Sequence, residues 1–356
     1  MQYHTLLNIN HIYEVKMSSL NLFDDVVPLE KQHPIYIMMK KESYEPEREV
    51  INQWAKGFLD RDNKFTKEFQ TSFEPCLWEL YLFAYLKELG LRNDFSYDAP
   101  DFIVNEPGFC IEATIALPAQ GDPGAHGFST EDMPRDFNKF NSEASIRLSN
   151  SFISKVKKLR SRYSLLPQCK EKPFVIAIAS FDRPFAHFAA ARPILATLYG
   201  LYHDEEATIE SGSKSIISYN VEAAVKKENV NIAMGLFCTP EYSDVSAVIY
   251  SSLATWGKVR ALADNPSALT VYTTFTPREN SLYPKVHQAK KNDYIEHLAD
   301  GLYILHNPFA RHPLPKETLS HPRVAQGYVE SDGYVNFVAP EDFLLLRFLQ
   351  SFNLKD

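Results

Sequence analysis

Two short apolar runs joined by a turn constrain this chain more than any other stretch. Pro100-Asp101 heads the first run, Phe102-Ile103-Val104; Asn105-Glu106-Pro107-Gly108 is a cluster of turn formers; the second run extends from Phe109 to Leu117. Such a pattern predicts a β-hairpin. Strand side chains alternate between faces, so Cys110, Glu112, Thr114 and Ala116 share one face, and Phe109, Ile111, Ala113, Ile115 and Leu117 share the other. Pairing Val104 with Phe109 sets Phe102 opposite Ile111 and Asp101 opposite Glu112. Two carboxylates facing each other across a ladder repel. A divalent cation between them reverses the sign of that interaction.

The chain around the hairpin is that of an ordinary globular protein. Its 356 residues, 45% hydrophobic and 23% charged, suffice for one large domain or two smaller ones. With no clean linker and no internal repeat, one elaborated domain is expected. No apolar run reaches membrane-spanning length, and the N-terminus has no basic segment followed by an apolar one. Cys76, Cys110, Cys169 and Cys238 are scattered without a CxxC pair, which argues against a zinc knuckle or a disulfide framework. A reduced, cytoplasmic protein is expected, with no membrane partner.

The net charge of −8 is unevenly spread. Between Ser145 and Lys172, Arg147, Lys155, Lys157, Lys158, Arg160, Arg162, Lys170 and Lys172 face the single acid Glu171. Periodicity predicts a helix from about Ala144 to Tyr163, with Phe152, Val156, Leu159 and Tyr163 as its core face. Arg147, Ser151, Lys155, Lys158 and Arg162 form a stripe on its flank. Such a stripe is ordinarily a solvated face; after a carboxylate hairpin, and without acidic partners, phosphate contact is the sharper expectation.

Before the hairpin, Glu45 to Leu59 reads as a helix, and Cys76 to Leu89 as a second one ending at Gly90. The run CLWELYLFAYL is apolar almost all round, which predicts burial on most sides. Glu79 is its one charge, and a carboxylate there needs a cation, a proton or a donor. A strand is expected over Asn93 to Tyr97. Residues 118 to 142 read as a long loop, either a flap over the site or simply flexible. Pro173 to Ala179 reads as a buried strand. Further strands are expected at Ile232 to Cys238, Ser246 to Ser251, Thr270 to Phe275 and Gly301 to His306, and helices around Pro193 to Tyr202 and Glu341 to Phe352.

The order helix, three strands, helix, strand, with Glu79 on the first helix, Pro100-Asp101 heading one strand and Glu112-Ala113-Thr114 on the next, resembles the PD-(D/E)XK nuclease superfamily. The resemblance covers about residues 72 to 180. It implies an α/β fold in which helices flank a mixed central sheet, with a restriction-endonuclease-like αβββαβ core. The expected organisation is an N-terminal elaboration over 1–65, the nuclease-like core over 66–185, and a C-terminal extension over 186–356 packed on the same domain. It further implies that Asp101, Glu112 and the carbonyl of Ala113 bind a metal, with Glu79 in support. Oxygen ligands of this kind suit Mg²⁺ or Mn²⁺. Thr114 stands where the motif has lysine, and Lys155 on the following helix is the substitute, since its stem can pack while its ammonium reaches the site.

The expected function is therefore a metal-dependent endonuclease hydrolysing phosphodiester bonds, in DNA rather than RNA. Glu79, Asp101, Glu112, Thr114 and Lys155 form the catalytic set, and Arg147, Lys158 and Arg162 contact the nucleic-acid backbone. Fold analogy alone suggests bacterial defence or DNA processing, with a second copy or a partner subunit as a source of specificity. The alternative, prompted by Thr114, is an inactive nuclease fold that binds nucleic acid or regulates. Other signals are weaker. His306, His312 and His321 lie among Pro-rich turns and fit structural roles. Gly257-Lys258 lacks the rest of a P-loop, and no GxSxG is present.

Overall fold

The computed structural model describes residues 20–127, 129–227 and 230–354, so the opening positions of the N-terminal elaboration lie outside the described residues. Among the described residues, four α-helices precede the hairpin: α1 (Pro34–Met39), α2 (Glu45–Ala55), α3 (Phe65–Thr71) and α4 (Phe73–Glu88). The hairpin is β1 (Phe102–Val104) and β2 (Phe109–Ala116), followed by the long α5 (Phe137–Ser161) and β3 (Phe174–Ser180). Next come α6 (Arg192–Tyr199), β4 (Leu201–Asp204), α7 (Glu205–Ser211), β5 (Ile217–Asn220), β6 (Ala223–Lys227), β7 (Val230–Ala233) and β8 (Ala247–Ser251). The chain closes with α8 (Trp256–Leu262), β9 (Ala268–Thr276), β10 (Lys285–Lys290), β11 (Tyr303–His306), β12 (Ala325–Val329), β13 (Val335–Val338) and β14 (Leu346–Asn353).

A seven-stranded mixed sheet, in the order β1-β2-β3-β8-β11-β12-β13, organises the molecule, and strands on both sides of residue 186 belong to it. Its centre is parallel: β2 pairs β3, and β3 pairs β8. Parallel strands buried on both faces read as continuous apolar runs, and every residue of β3 and β8 is buried. One hydrophobic core joins α4 and the N-terminal helices to Phe109, Ile111, Ala113 and Ile115; another joins α5 and α6 to Cys110, Ala116, Ile176 and Ile178. The alternation predicted for the return strand thus divides the two cores.

Helix α4 lies where its apolar circumference demands. Trp78 donates from its ring nitrogen to the Ala177 carbonyl at 3.2 Å, and the Tyr81 and Tyr85 hydroxyls donate to the Leu298 and Leu319 carbonyls. The polar atom of each buried ring is thereby paired, as burial requires. No helix among the described residues is long and apolar enough to cross a membrane.

Several expected elements take another form. Asn93 to Tyr97 is not a strand: only Asn93 bridges Val104, and Asp94 turns the chain by accepting from the Ser96 N–H. The helix expected over Glu341 to Phe352 is instead β14, because eight residues from Leu346 to Asn353 pair along the length of β9. An apolar run of that kind satisfies either period, and the long-range ladder decides. Only the start of the strand expected over Ile232 to Cys238 forms, since Gly235 turns the chain at φ +67°. Helix α6 stops at Tyr199, because Gly200 adopts a left-handed cap. Helix α5 begins seven residues before Ala144, since the Asp136 carboxylate caps it by accepting from the Lys139 N–H at 2.8 Å.

Candidate functional site

The hairpin pairs in the expected register, Phe102 with Ile111, Ile103 with Cys110 and Val104 with Phe109. Because β1 begins at Phe102, Asp101 stands just outside the ladder, beside the portion of β2 that no longer has β1 to pair with. There its Oδ2 accepts the Ala113 N–H at 2.7 Å, so a carboxylate takes the place of a strand carbonyl. In an antiparallel pair, the N–H and carbonyl of one residue point to the same side, so the Ala113 carbonyl also faces Asp101. Arg61 fixes this turn from outside, donating to the carbonyls of Tyr97, Pro100 and Asp101 at 2.5, 3.3 and 3.4 Å.

Glu112 is fully buried in the second core's face of β2. Its Oε1 accepts from Lys155 Nζ at 2.7 Å and from Lys158 Nζ at 2.9 Å. The two lysines are three residues apart on α5, so both stems rise from one face of the helix. Lys158 also sits 4.9 Å from the centre of the Tyr163 ring, which is buried beneath it. Burial and then the Glu112 charge push the Tyr163 phenol up. The other oxygen, Glu112 Oε2, is buried with no hydrogen-bond partner among the described residues. Such an orphan costs the full desolvation of the atom.

Glu79 projects from α4 into the same charge cluster. Burial, then the charges of Asp101 and Glu112, hold its carboxyl well above the ordinary range. Burial and Glu112 likewise push Asp101 up to about 6, against the opposing pull of the Ala113 N–H. Carboxyl groups that share a poorly hydrated site cannot all ionise cheaply. A divalent cation would satisfy Glu112 Oε2 and reverse the repulsion, and the donor set of carboxylate and carbonyl oxygens fits Mg²⁺ or Mn²⁺.

The structure thus brings together Glu79, Asp101, Glu112, Ala113 and Lys155. Thr114 lies half-buried on β2, on the Glu112 face. The basic stripe is partly committed within the fold. Arg147 is 3.8 Å from Asp122, and Arg160, outside the stripe, donates to Asp244 at 2.7 Å. Lys158, expected to reach a backbone phosphate, meets Glu112 instead, whereas Arg162 is exposed.

One cluster has no counterpart in the sequence reading. His33 precedes α1, Glu74 lies in the first turn of α4, and His126 is in the loop after β2. Glu74 Oε1 is 3.3 Å from His33 Nε2 and 2.8 Å from His126 Nδ1. These residues share no local spacing, so only the folded chain assembles them. Two of the histidines singled out in the sequence have partners within the fold. His306 is buried against Gln326 at 3.0 Å, and His321 meets Glu88 at 3.0 Å. Lys258, beside Gly257, is buried against Glu296 and not in a phosphate loop.

No protein-family model, curated protein or solved structure matches this chain. The shown class is therefore architectural: a mixed α/β protein with a seven-stranded central sheet flanked by helices.

Proposed function

We propose that this protein is a divalent-metal-dependent nuclease of the PD-(D/E)XK kind, acting on the phosphodiester bonds of DNA. The reading rests above all on the convergence of α4, the β1–β2 hairpin and α5 at one point, with Lys155 Nζ 2.7 Å from the buried Glu112 carboxylate. The succession α4, β1, β2, α5, β3 supports a restriction-endonuclease-like core, its first strand reduced to the Asn93 bridge.

Asp101, Glu112 and the Ala113 carbonyl would hold Mg²⁺ or Mn²⁺, with Glu79 beside them. When bound, the ion lowers the pKa of a coordinated water and neutralises charge on the scissile phosphate. The chain's own groups perform the rest. Asp101 is oriented by the Ala113 N–H and by the turn that Arg61 clamps. Lys155 supplies fixed positive charge beside Glu112, in place of the cation that Thr114 cannot provide. Lys158 shares that position, and Tyr163 packs beneath it.

A second reading has its own support, because both lysines are engaged by Glu112 and neither is free for a phosphate. It is an inactive nuclease fold that binds nucleic acid or regulates. Cleavage of plasmid and single-stranded DNA with Mg²⁺ or Mn²⁺ separates the two. Glu112→Ala and Asp101→Ala are expected to lower cutting by on the order of 100-fold or more, as loss of charge-stabilising groups does. Lys155→Ala should act likewise and Lys158→Ala less. Salt-sensitive DNA binding by a wild type that cuts neither substrate would support the second reading.

A further inference from the structure

We propose that His33, Glu74 and His126 form a second metal site, selective for a transition metal such as Zn²⁺ and separate from the hairpin. Two imidazoles and one carboxylate are the donor set that suits Zn²⁺ over Mg²⁺. One ligand atom from each residue lies within 4.8 Å of the others. Bonds of ~2.0–2.1 Å place tetrahedral ligand atoms about 3.3 Å apart. The His33–Glu74 separation of 3.3 Å already has that value, whereas His126 Nδ1, 2.8 Å from Glu74 and within 4.8 Å of the His33 ligand atom, must shift to reach it.

The three side chains are held rather than loosely grouped. The His33 ring stacks on Phe73 at 5.8 Å, and the His126 ring stands edge-on to His33 at 4.3 Å. Glu74 and His126 line a cavity of about 350 Å³. The segments that follow the parallel strands β2, β3 and β8 contribute His126, Phe181 and, at the start of α8, Trp256 to its walls. In open α/β sheets, the carboxyl ends of parallel strands are where ligands bind. A fourth coordination position opens onto this cavity for water or a small anion, with Arg260 and Arg347 among its other walls.

One hydrogen bond must be given up. The Ile35 N–H donates to His33 Nδ1 at 3.3 Å, which leaves the ring proton on Nε2, facing Glu74. Coordination through Nε2 moves that proton to Nδ1 and removes the acceptor from Ile35, a cost the metal bonds must exceed. Without metal, the same three residues form a hydrogen-bonded cluster centred on Glu74.

The test is titration of chelator-treated protein with Zn²⁺, and with Co²⁺ as a visible-absorption probe, for wild type, His126→Ala, Glu74→Gln and Glu112→Ala. Wild type and Glu112→Ala should each bind one equivalent tightly, with the intense visible bands of tetrahedral Co²⁺. His126→Ala should lose those bands and weaken Zn²⁺ binding at least tenfold. His126 is partly exposed on a loop, so this variant should keep its fold, which circular dichroism checks. Bands that survive both His126→Ala and Glu74→Gln, or vanish only in Glu112→Ala, would overturn the site, as would a wild type that binds no Zn²⁺. Because Glu112→Ala abolishes the hairpin site alone, failure of the nuclease reading leaves this outcome unaffected.

Discussion

Asp101 is the residue whose ionisation reports most directly on the hairpin. Its carboxyl titrates near 6 in the fold against an ordinary 3.8. A raised acid binds its proton more tightly when folded, so its contribution to stability is present below about pH 4 and is lost as pH climbs towards 6. Asp101→Asn cannot ionise. In metal-free buffer it should therefore be more stable than wild type above pH 6, by about 1–3 kcal/mol, with the gap closing towards pH 4. Urea unfolding at both pH values measures this. Mn²⁺ should reverse the order at neutral pH, because only the wild type retains the anionic ligand. At this scale, period-two alternation sets Asp101 beside Glu112 in the sequence, and the nuclease resemblance, with the flank of a basic helix, points to Lys155, whose ammonium the fold brings to Glu112. His33, Glu74 and His126 could not be found that way. Each is unremarkable in its own segment, and only the packing of α1, α4 and the loop after β2 makes them neighbours.

Among the elements, α5 carries the most of the site, because Lys155, Lys158 and Ser151 all reach β2 from it; the Ser151 hydroxyl donates to the Ile115 carbonyl at 3.2 Å. Its first turn depends on the Asp136 cap. Asp136→Ala should cost about 1 kcal/mol, measured as a lowered urea midpoint with an unchanged slope. Hydrogen exchange should rise in the first turn and not around Lys155, about five turns further on. The hairpin register was legible because a buried face admits only one pairing. β14 was not, since its partner β9 is far away in sequence and supplies the ladder that local preference does not. The missing strand at Asn93 to Tyr97 has a similar cause: the side chains of Asn93 and Asp94 bond the hairpin and its own turn, diverting the chain from an extended ladder.

At the scale of the whole molecule, a buried ionic knot joins β14 to α8. Glu296 accepts from Lys258 at 2.5 Å, from Arg347 of β14 and from the Tyr294 hydroxyl, and the side chains of Lys258 and Glu296 have no exposure. Burial opposes the charge on Glu296, but Arg347 and Lys258 outweigh it and hold its carboxyl below the ordinary range. Glu296→Gln would leave two cations in the interior without their anion. A loss of about 3–5 kcal/mol is expected at neutral pH from urea unfolding. A depressed acid stabilises above its unfolded pKa and ceases to as pH falls through its folded value. The gap between variant and wild type should therefore narrow only in strong acid.

Helix α4 holds one further consequence. Glu74 faces the cavity and Glu79 faces the hairpin, both on the same helix. Five residues of helix rise about 7.5 Å, and the packed aromatic rings around them leave little room for bending. The helix is thus a stiff rod with one acid at the cavity and another within electrostatic range of the hairpin acids. A displacement of the helix at Glu74 would carry to Glu79. Coupling of that kind would be reciprocal: a metal that drew Glu74 outward would alter the hairpin by the same free energy with which an ion at the hairpin would alter the cavity.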